Sequence, residues 1–183
     1  MKSAQVSRTL KPLFVCHANC CRSVLAYYFY RHLCADARAL SAGFEPGERI
    51  SGRALAMLEQ WGIDARGHRP GPLHRRLCHE AGAIFVMAPA YLHRLLLEYG
   101  RDLAGKAYLF ADPFSQPQSF GHGEYKVYDP SFDERPIPEL VREFGWMRER
   151  VLQIRLALLG DGRPMIPAAE YLGLLRSVDP RGH

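Results

Sequence analysis

Two short stretches, residues 12–16 and 83–87, are apolar at every position: Pro-Leu-Phe-Val-Cys and Ala-Ile-Phe-Val-Met. A strand with one face in water alternates apolar and polar residues, so strands without alternation are covered on both faces. Each stretch leads into a segment with helical recurrence: Val24, Leu25, Tyr28, Phe29 and Leu33 after the first, Leu92, Leu95, Leu96 and Tyr99 after the second. Doubly covered strands alternating with helices predict a three-layer α/β domain: a four-stranded parallel sheet with helices on both faces. The other strand candidates are 39–42, stopped by Gly43, Pro46 and Gly47, and 106–110. Helices are predicted over 24–33, from a Ser51 cap to near Gly62, over 73–79, and from Pro89 to a stop at Gly100. One long amphipathic helix is predicted over 139–159 and a short one over 168–176. Residues 64–72 and 111–133 read as loops, the second long enough to be functional.

The 183 residues suffice for one domain. It is expected over 12–160, with a polar arm at 1–11 and a C-terminal extension at 161–183 packed on the same domain. A composition 48% hydrophobic and 23% charged excludes wholesale disorder. The net charge is +5, and 20 of the 24 basic residues are Arg, with no basic run long enough to follow a nucleic acid, so no nucleic-acid partner is expected. The longest apolar run, 81–92, contains Pro89 and is too short to span a bilayer, and the first residues lack the apolar stretch of a leader. A cytoplasmic protein without a membrane partner is the expectation; oligomeric state is not legible. Cys16, Cys20, Cys21, Cys34 and Cys78 are odd in number, three of them crowded together, which suits neither a disulfide framework nor a zinc site.

In sheets of this kind ligands collect at the carboxyl ends of the strands, here the loops after Val15, Met87 and Phe110. The first reads Cys16-His17-Ala18-Asn19-Cys20-Cys21-Arg22-Ser23, with a helix following. Backbone N–H groups of a loop entering a helix can cradle phosphate oxygens, and the same groups favour a thiolate, making Cys16 a nucleophile. Arg22 offers a planar fork that binds two phosphate oxygens. Ser23 can donate to the thiolate and ease its departure in a second step. Asn19 is placed where a left-handed residue helps the backbone curl. This chemistry is phosphoryl transfer through a cysteinyl-phosphate.

These residues resemble the signature loop C-x-[GA]-N-x-C-R-S of the low-molecular-weight protein tyrosine phosphatases. Further segments are similar in order: Leu40-Ser41-Ala42-Gly43, the stretch from Gly62-Ile63 to His68, the strand at 83–87, and Tyr128-Asp129-Pro130-Ser131-Phe132. The chain departs from the family pattern at Val24 (usually Pro), Gly82 (usually Asp), Ser131 (usually aromatic) and Asp133 (usually Gly). The resemblance implies a protein tyrosine phosphatase that needs no cofactor and no metal, with a phosphorylated protein as partner. It makes Cys16, Arg22 and Asp129 catalytic, and His17, Ala18, Asn19, Cys20, Cys21, Ser23 and Phe132 substrate-binding. Ser41 and His68, with Asn19, would support the loop.

The leaving oxygen needs a proton from a carboxylic acid. Of the Asp-Pro pairs, those at Asp112 and Asp129 compete; Asp129 is favoured because it lies just before the last long helix with Phe132 beside it. Phe114, Phe120, Tyr125, Tyr128 and Phe132 could rim a flat phosphoaryl group. In the family a bulky aliphatic residue at the Cys20 position accompanies phosphotyrosine and Thr accompanies phosphoarginine; Cys is neither. By the same resemblance Cys21 could form a disulfide with Cys16 that spares it from irreversible oxidation. The alternatives are a weak or inactive phosphate- or partner-binding protein of this fold, and a thiol-dependent arsenate reductase. The latter lacks its relay thiols, since no Cys follows residue 78.

Overall fold

The computed structural model describes residues 11–35, 38–111 and 126–160, together with 165, 167 and 168. Pro12–Cys16 (β1), Leu40–Gly43 (β2), Ala83–Val86 (β3) and Ala107–Leu109 (β4) form one parallel sheet in the order β2-β1-β3-β4. The register pairs Phe14 with Ser41 and Phe85, and Cys16 with Gly43. The helices are Arg22–Cys34 (α1), Gly52–Gln60 (α2), Arg75–Glu80 (α3), Pro89–Tyr99 (α4), Ile137–Phe144 (α5) and Trp146–Leu159 (α6).

Alternate residues of β1 enter two different cores, which is why the strand is apolar throughout. Phe14 and Cys16 pack with residues of α1, α2, α5 and α6. Leu13 and Val15 pack with residues of α3 and α4. The three layers expected from the sequence are therefore present. Phe14 lies 5.7 Å from the Phe85 ring, 5.9 Å from Tyr30 and 6.0 Å from Phe110. Truncating a buried aromatic of this kind costs about 3–5 kcal/mol, so the strand that carries Cys16 is firmly seated.

Three expectations are corrected. The single helix over 139–159 is two, α5 and α6, joined at Gly145. At the joint the bonds tighten to an i−3 pattern, Gly145 N–H to Arg142 O at 3.4 Å and Arg148 N–H to Gly145 O at 3.1 Å. The helix expected from 73 begins at Arg75, because the Leu73 N–H donates to Gly43 O at 2.7 Å and His74 caps the helix. Pro130–Phe132 forms a one-turn 3-10 segment inside the stretch read as loop. Asp112, Phe114, Phe120, Tyr125 and the arm at 1–10 lie outside the described residues. So does most of 161–183, including all of the helix expected over 168–176 except Ala168, which is buried against the Leu13 face of the sheet.

Candidate active site

The chain leaves β1 at Cys16 and crosses residues 17–21 before α1 begins. Every carbonyl in this crossing is fastened from outside it. Cys16 O accepts from Phe44 N (3.3 Å), His17 O from Glu45 N (3.0 Å), Ala18 O from Gly47 N (2.9 Å) and Cys20 O from Ser51 N (2.9 Å). Asn19 O accepts from His68 Nε2 at 3.0 Å; a carbonyl can only accept, so that nitrogen carries the proton. Cys21 O accepts from Leu25 N at 2.9 Å, inside the first turn of α1. A carbonyl turned outward leaves the opposite edge of its peptide, the next residue's N–H, facing the interior of the loop. Such fastening turns loop N–H groups inward, and the Asn19 N–H meets the Cys16 sulfur at the amino end of a helix whose N-cap makes no side-chain bond.

Cys16 is 2% exposed, and its Sγ lies 3.2 Å from Asn19 N and 3.0 Å from Ser23 Oγ. Asn19 Nδ2 donates to the same Ser23 oxygen at 3.0 Å, which leaves the single Ser23 hydroxyl hydrogen for the sulfur. Asn19 is fully buried at φ +53, the expected left-handed conformation, and its Oδ1 accepts from Gly71 N at 3.0 Å. Every polar group of Asn19 is thus used. Burial holds the His68 ring below its ordinary pKa, outweighing the Asn19 carbonyl, so it is neutral at pH 7.

Arg22 is 6% exposed at the start of α1. Burial lowers its proton affinity, but the charges of Asp129 and Cys16 and the Tyr91 hydroxyl outweigh it, and the net shift is upward. Its Nη2 lies 2.7 Å from Asp129 Oδ2 and 3.2 Å from the Tyr91 hydroxyl. Its Nε is buried with no hydrogen-bond partner among the described residues. A buried cationic donor without a partner suits an anionic ligand. Burial first, and then the charge of Asp129, push the Cys21 thiol up to about 12, although Ser131 and Ser51 pull the other way. Burial also raises Cys20, whose Sγ donates to Ala18 O at 3.2 Å.

The structure therefore brings together Cys16, Ala18, Asn19, Cys20, Cys21, Arg22, Ser23, His68 and Asp129. His17 stands at the rim, its Nε2 3.8 Å from Glu45 Oε2 and its ring stacked 6.4 Å from Tyr91. Two expected members fall outside this cluster. Ser41 has no side-chain bond to the loop among the described residues: it pairs with Phe14, two residues behind Cys16. Phe132 is 94% exposed, because a one-turn segment gives its ring nothing to pack against. Tyr91 was missed by sequence reasoning, although Pro89 opens a helix just past the carboxyl end of β3, one of the places where such folds hold ligands.

The part played by Gly43 was also unforeseen. A Cβ there would lie 2.6 Å from His17 O, 2.7 Å from Asn19 N and 2.8 Å from Ala18 C. These are backbone atoms and cannot rotate aside. Gly43→Ala is expected to destabilise the protein by about 1–3 kcal/mol and to abolish binding of inorganic phosphate. Thermal melting with and without phosphate reads both effects; an unchanged phosphate-dependent shift would show that the loop tolerates the displacement.

A thiol and a buried guanidinium thus meet at the amino end of a helix, past the carboxyl end of the first strand of a parallel sheet, where proteins of the α/β class hold ligands. The sequence profile of the low molecular weight phosphotyrosine protein phosphatases matches residues 11–144, and the chain belongs to that family. Family membership supports phosphatase activity. Wzb of Vibrio vulnificus, solved with benzylphosphonate, superposes with a TM-score of 0.66 at 21% identity, over 80% of this chain and 97% of that one. A YwlE mutant from Bacillus subtilis gives 0.67 at 20% identity, over 81% of this chain and 98% of that one. At such identities the likeness concerns the fold. A stretch of 63 residues is 36% identical to a glutaredoxin arsenate reductase from Synechocystis, covering 34% of this chain and 48% of that protein, so the chain spans about half the length of this relative. Among the described residues no helix is long and apolar enough to cross a membrane.

Proposed function

We propose that the protein hydrolyses phosphomonoesters, protein phosphotyrosine first among them, through a cysteinyl-phosphate on Cys16. The observation that carries this is the outward fastening of the loop carbonyls around Cys16 Sγ. An incoming phosphate meets the N–H groups and takes the Arg22 fork, releasing Asp129 from its ion pair, and the freed carboxylate takes up a proton from solvent. Cys16 Sγ attacks phosphorus as the bond to the leaving oxygen breaks, and Asp129 gives that oxygen its proton. A water then forms the new O–P bond, the S–P bond breaks with the Ser23 hydroxyl facing the sulfur, and Asp129 takes the proton of the water.

The three polar contacts of the Asp129 carboxylate among the described residues fit this role. Oδ2 faces Arg22 at 2.7 Å, and Oδ1 is held by Ser131. Asp129→Ala is expected to lower kcat/KM for phenyl phosphate by about 100-fold or more, with Asp112→Ala within about twofold of wild type, measured as phosphate release. The reverse order would move the acid to Asp112.

The exposed Phe132 ring, next to the acid, would complete a wall only against a bound aryl group. Among structural neighbours, YwlE is described as an arginine phosphatase, so phosphoarginine peptides belong beside phosphotyrosine peptides in the first assay. The Synechocystis similarity makes arsenate reduction with glutathione and glutaredoxin a useful control. A reducing compartment such as the cytoplasm suits a thiol nucleophile. When a peroxide oxidises Cys16 to a sulfenic acid, Cys21 is the natural partner: its thiol gives up a firmly held proton as the S–S bond forms and water leaves.

A further inference from the structure

We propose that Ser131 is a positioning residue for the acid: its hydroxyl clamps one carboxylate oxygen of Asp129 and so presents the other to the leaving group. The inference rests on the reading of Asp129 as the acid. Asp129 caps the one-turn segment Pro130–Phe132, and its Oδ1 accepts from the Ser131 N–H at 3.1 Å. A cap bond of this kind is ordinary. The second bond to the same oxygen, from Ser131 Oγ at 2.7 Å, is not required by the turn.

The terminal torsion of an Asp side chain is soft and roughly two-fold, so one backbone bond leaves the two oxygens free to trade places. Two bonds from different directions on Oδ1 remove that freedom. Oδ2 then points to Arg22 Nη2, at 2.7 Å, on the side where the phosphate ester arrives. Pro130 between the two residues restricts the backbone, so the bite from residue 129 to residue 131 has little play.

Among the described residues the charged and titratable groups around Asp129 are Arg22 from α1 and Cys20 and Cys21 from the loop, with Tyr91 of α4 joined to it through Arg22. Among the described residues only Ser131 holds Oδ1. The pattern that this chain resembles has an aromatic residue at position 131, so the clamp is a property of the serine.

In the first step the proton on Oδ2 passes to the leaving oxygen as S–P forms and P–O breaks. In the second the same oxygen takes a proton from water as O–P forms and S–P breaks. Ser131 gains and loses no proton; it keeps one oxygen in place through both transfers.

The test compares kcat/KM across 2,4-dinitrophenyl, p-nitrophenyl and phenyl phosphate. That ratio reads events up to cleavage of the ester bond, where a poor leaving group needs the acid most. Ser131→Ala should lose about tenfold on phenyl phosphate and stay within about twofold on the dinitrophenyl ester. Ser131→Thr, which keeps the hydroxyl, should recover phenyl phosphate turnover. Competitive inhibition by inorganic phosphate should be unchanged in both, showing that the loop is intact. Equal losses across the three esters, no loss at all, or no recovery with Thr would overturn the clamp. Asp129→Ala run in parallel separates the two readings. If its losses do not depend on the leaving group, the acid itself is misassigned; if they do while those of Ser131→Ala do not, only the clamp fails.

Discussion

The Cys16→Ser protein is expected to fold, to bind inorganic phosphate, and to hydrolyse p-nitrophenyl phosphate at least about 10⁴-fold more slowly than wild type. Serine is close to cysteine in size, and the two donors that face Sγ, Asn19 N–H and Ser23 O–H, can serve an oxygen as well. What is lost is the nucleophile: an alkoxide is not available at neutral pH from a hydroxyl with no base beside it. Rapid acid quench of the wild type during turnover should trap label on protein, and the variant should show none. No neighbouring thiol is placed to take over. Cys20 points its hydrogen at Ala18 O, and Cys21 is held protonated by burial and the charge of Asp129. Turnover within tenfold of wild type would place the attacking atom elsewhere and end the mechanism.

Replacing Arg22 by Lys keeps the charge and is expected to cost about 10²–10³ in kcat/KM. The guanidinium holds Asp129 and Tyr91 through Nη2 while its Nε remains available inside the site. An ammonium on a shorter stem cannot meet a carboxylate, a hydroxyl and two phosphate oxygens from one fixed plane. The loss should be shared between a weaker affinity for inorganic phosphate and a slower chemical step, read by competitive inhibition and by single turnover. A variant with wild-type kcat and only a raised KM would reduce Arg22 to a binding charge.

Much of the scaffold was legible. β1 and β3 announce themselves because a strand buried on both faces has no polar position, and α4 is bracketed by Pro89 and Gly100. The break at Gly145 was hidden by the very pattern that marks a helix. Leu140, Phe144, Met147, Val151 and Ile154 are buried at alternating spacings of four and three, straight across the joint. Periodicity records which face is buried, and a change of partner along that face leaves no trace: α2 packs against α5, whereas α1 packs against α6.

The site divides in the same way. Cys16, Asn19, Arg22 and Ser23 lie in one short segment whose order already constrains their geometry. Tyr91 and Gly43 act across the gap between strands, and their partners are visible only in three dimensions. Ser41 shows the opposite error. It sits in the right segment, yet the register of the sheet places it beside Phe14, short of the loop.

The fastening of residues 16–20 has a consequence for how the protein responds to its own product. Each peptide plane is pinned by a neighbour that lies outside the loop, so the array of donors that the proposed mechanism uses would be set before anything enters it. On the proposed mechanism such an array recognises a tetrahedral oxyanion and not the group esterified to it. The free ion left by one turnover then competes with the next ester for the same donors, and the rate falls as phosphate accumulates. Discrimination among esters is left to the exposed rim, where His17, Glu45 and Phe132 stand.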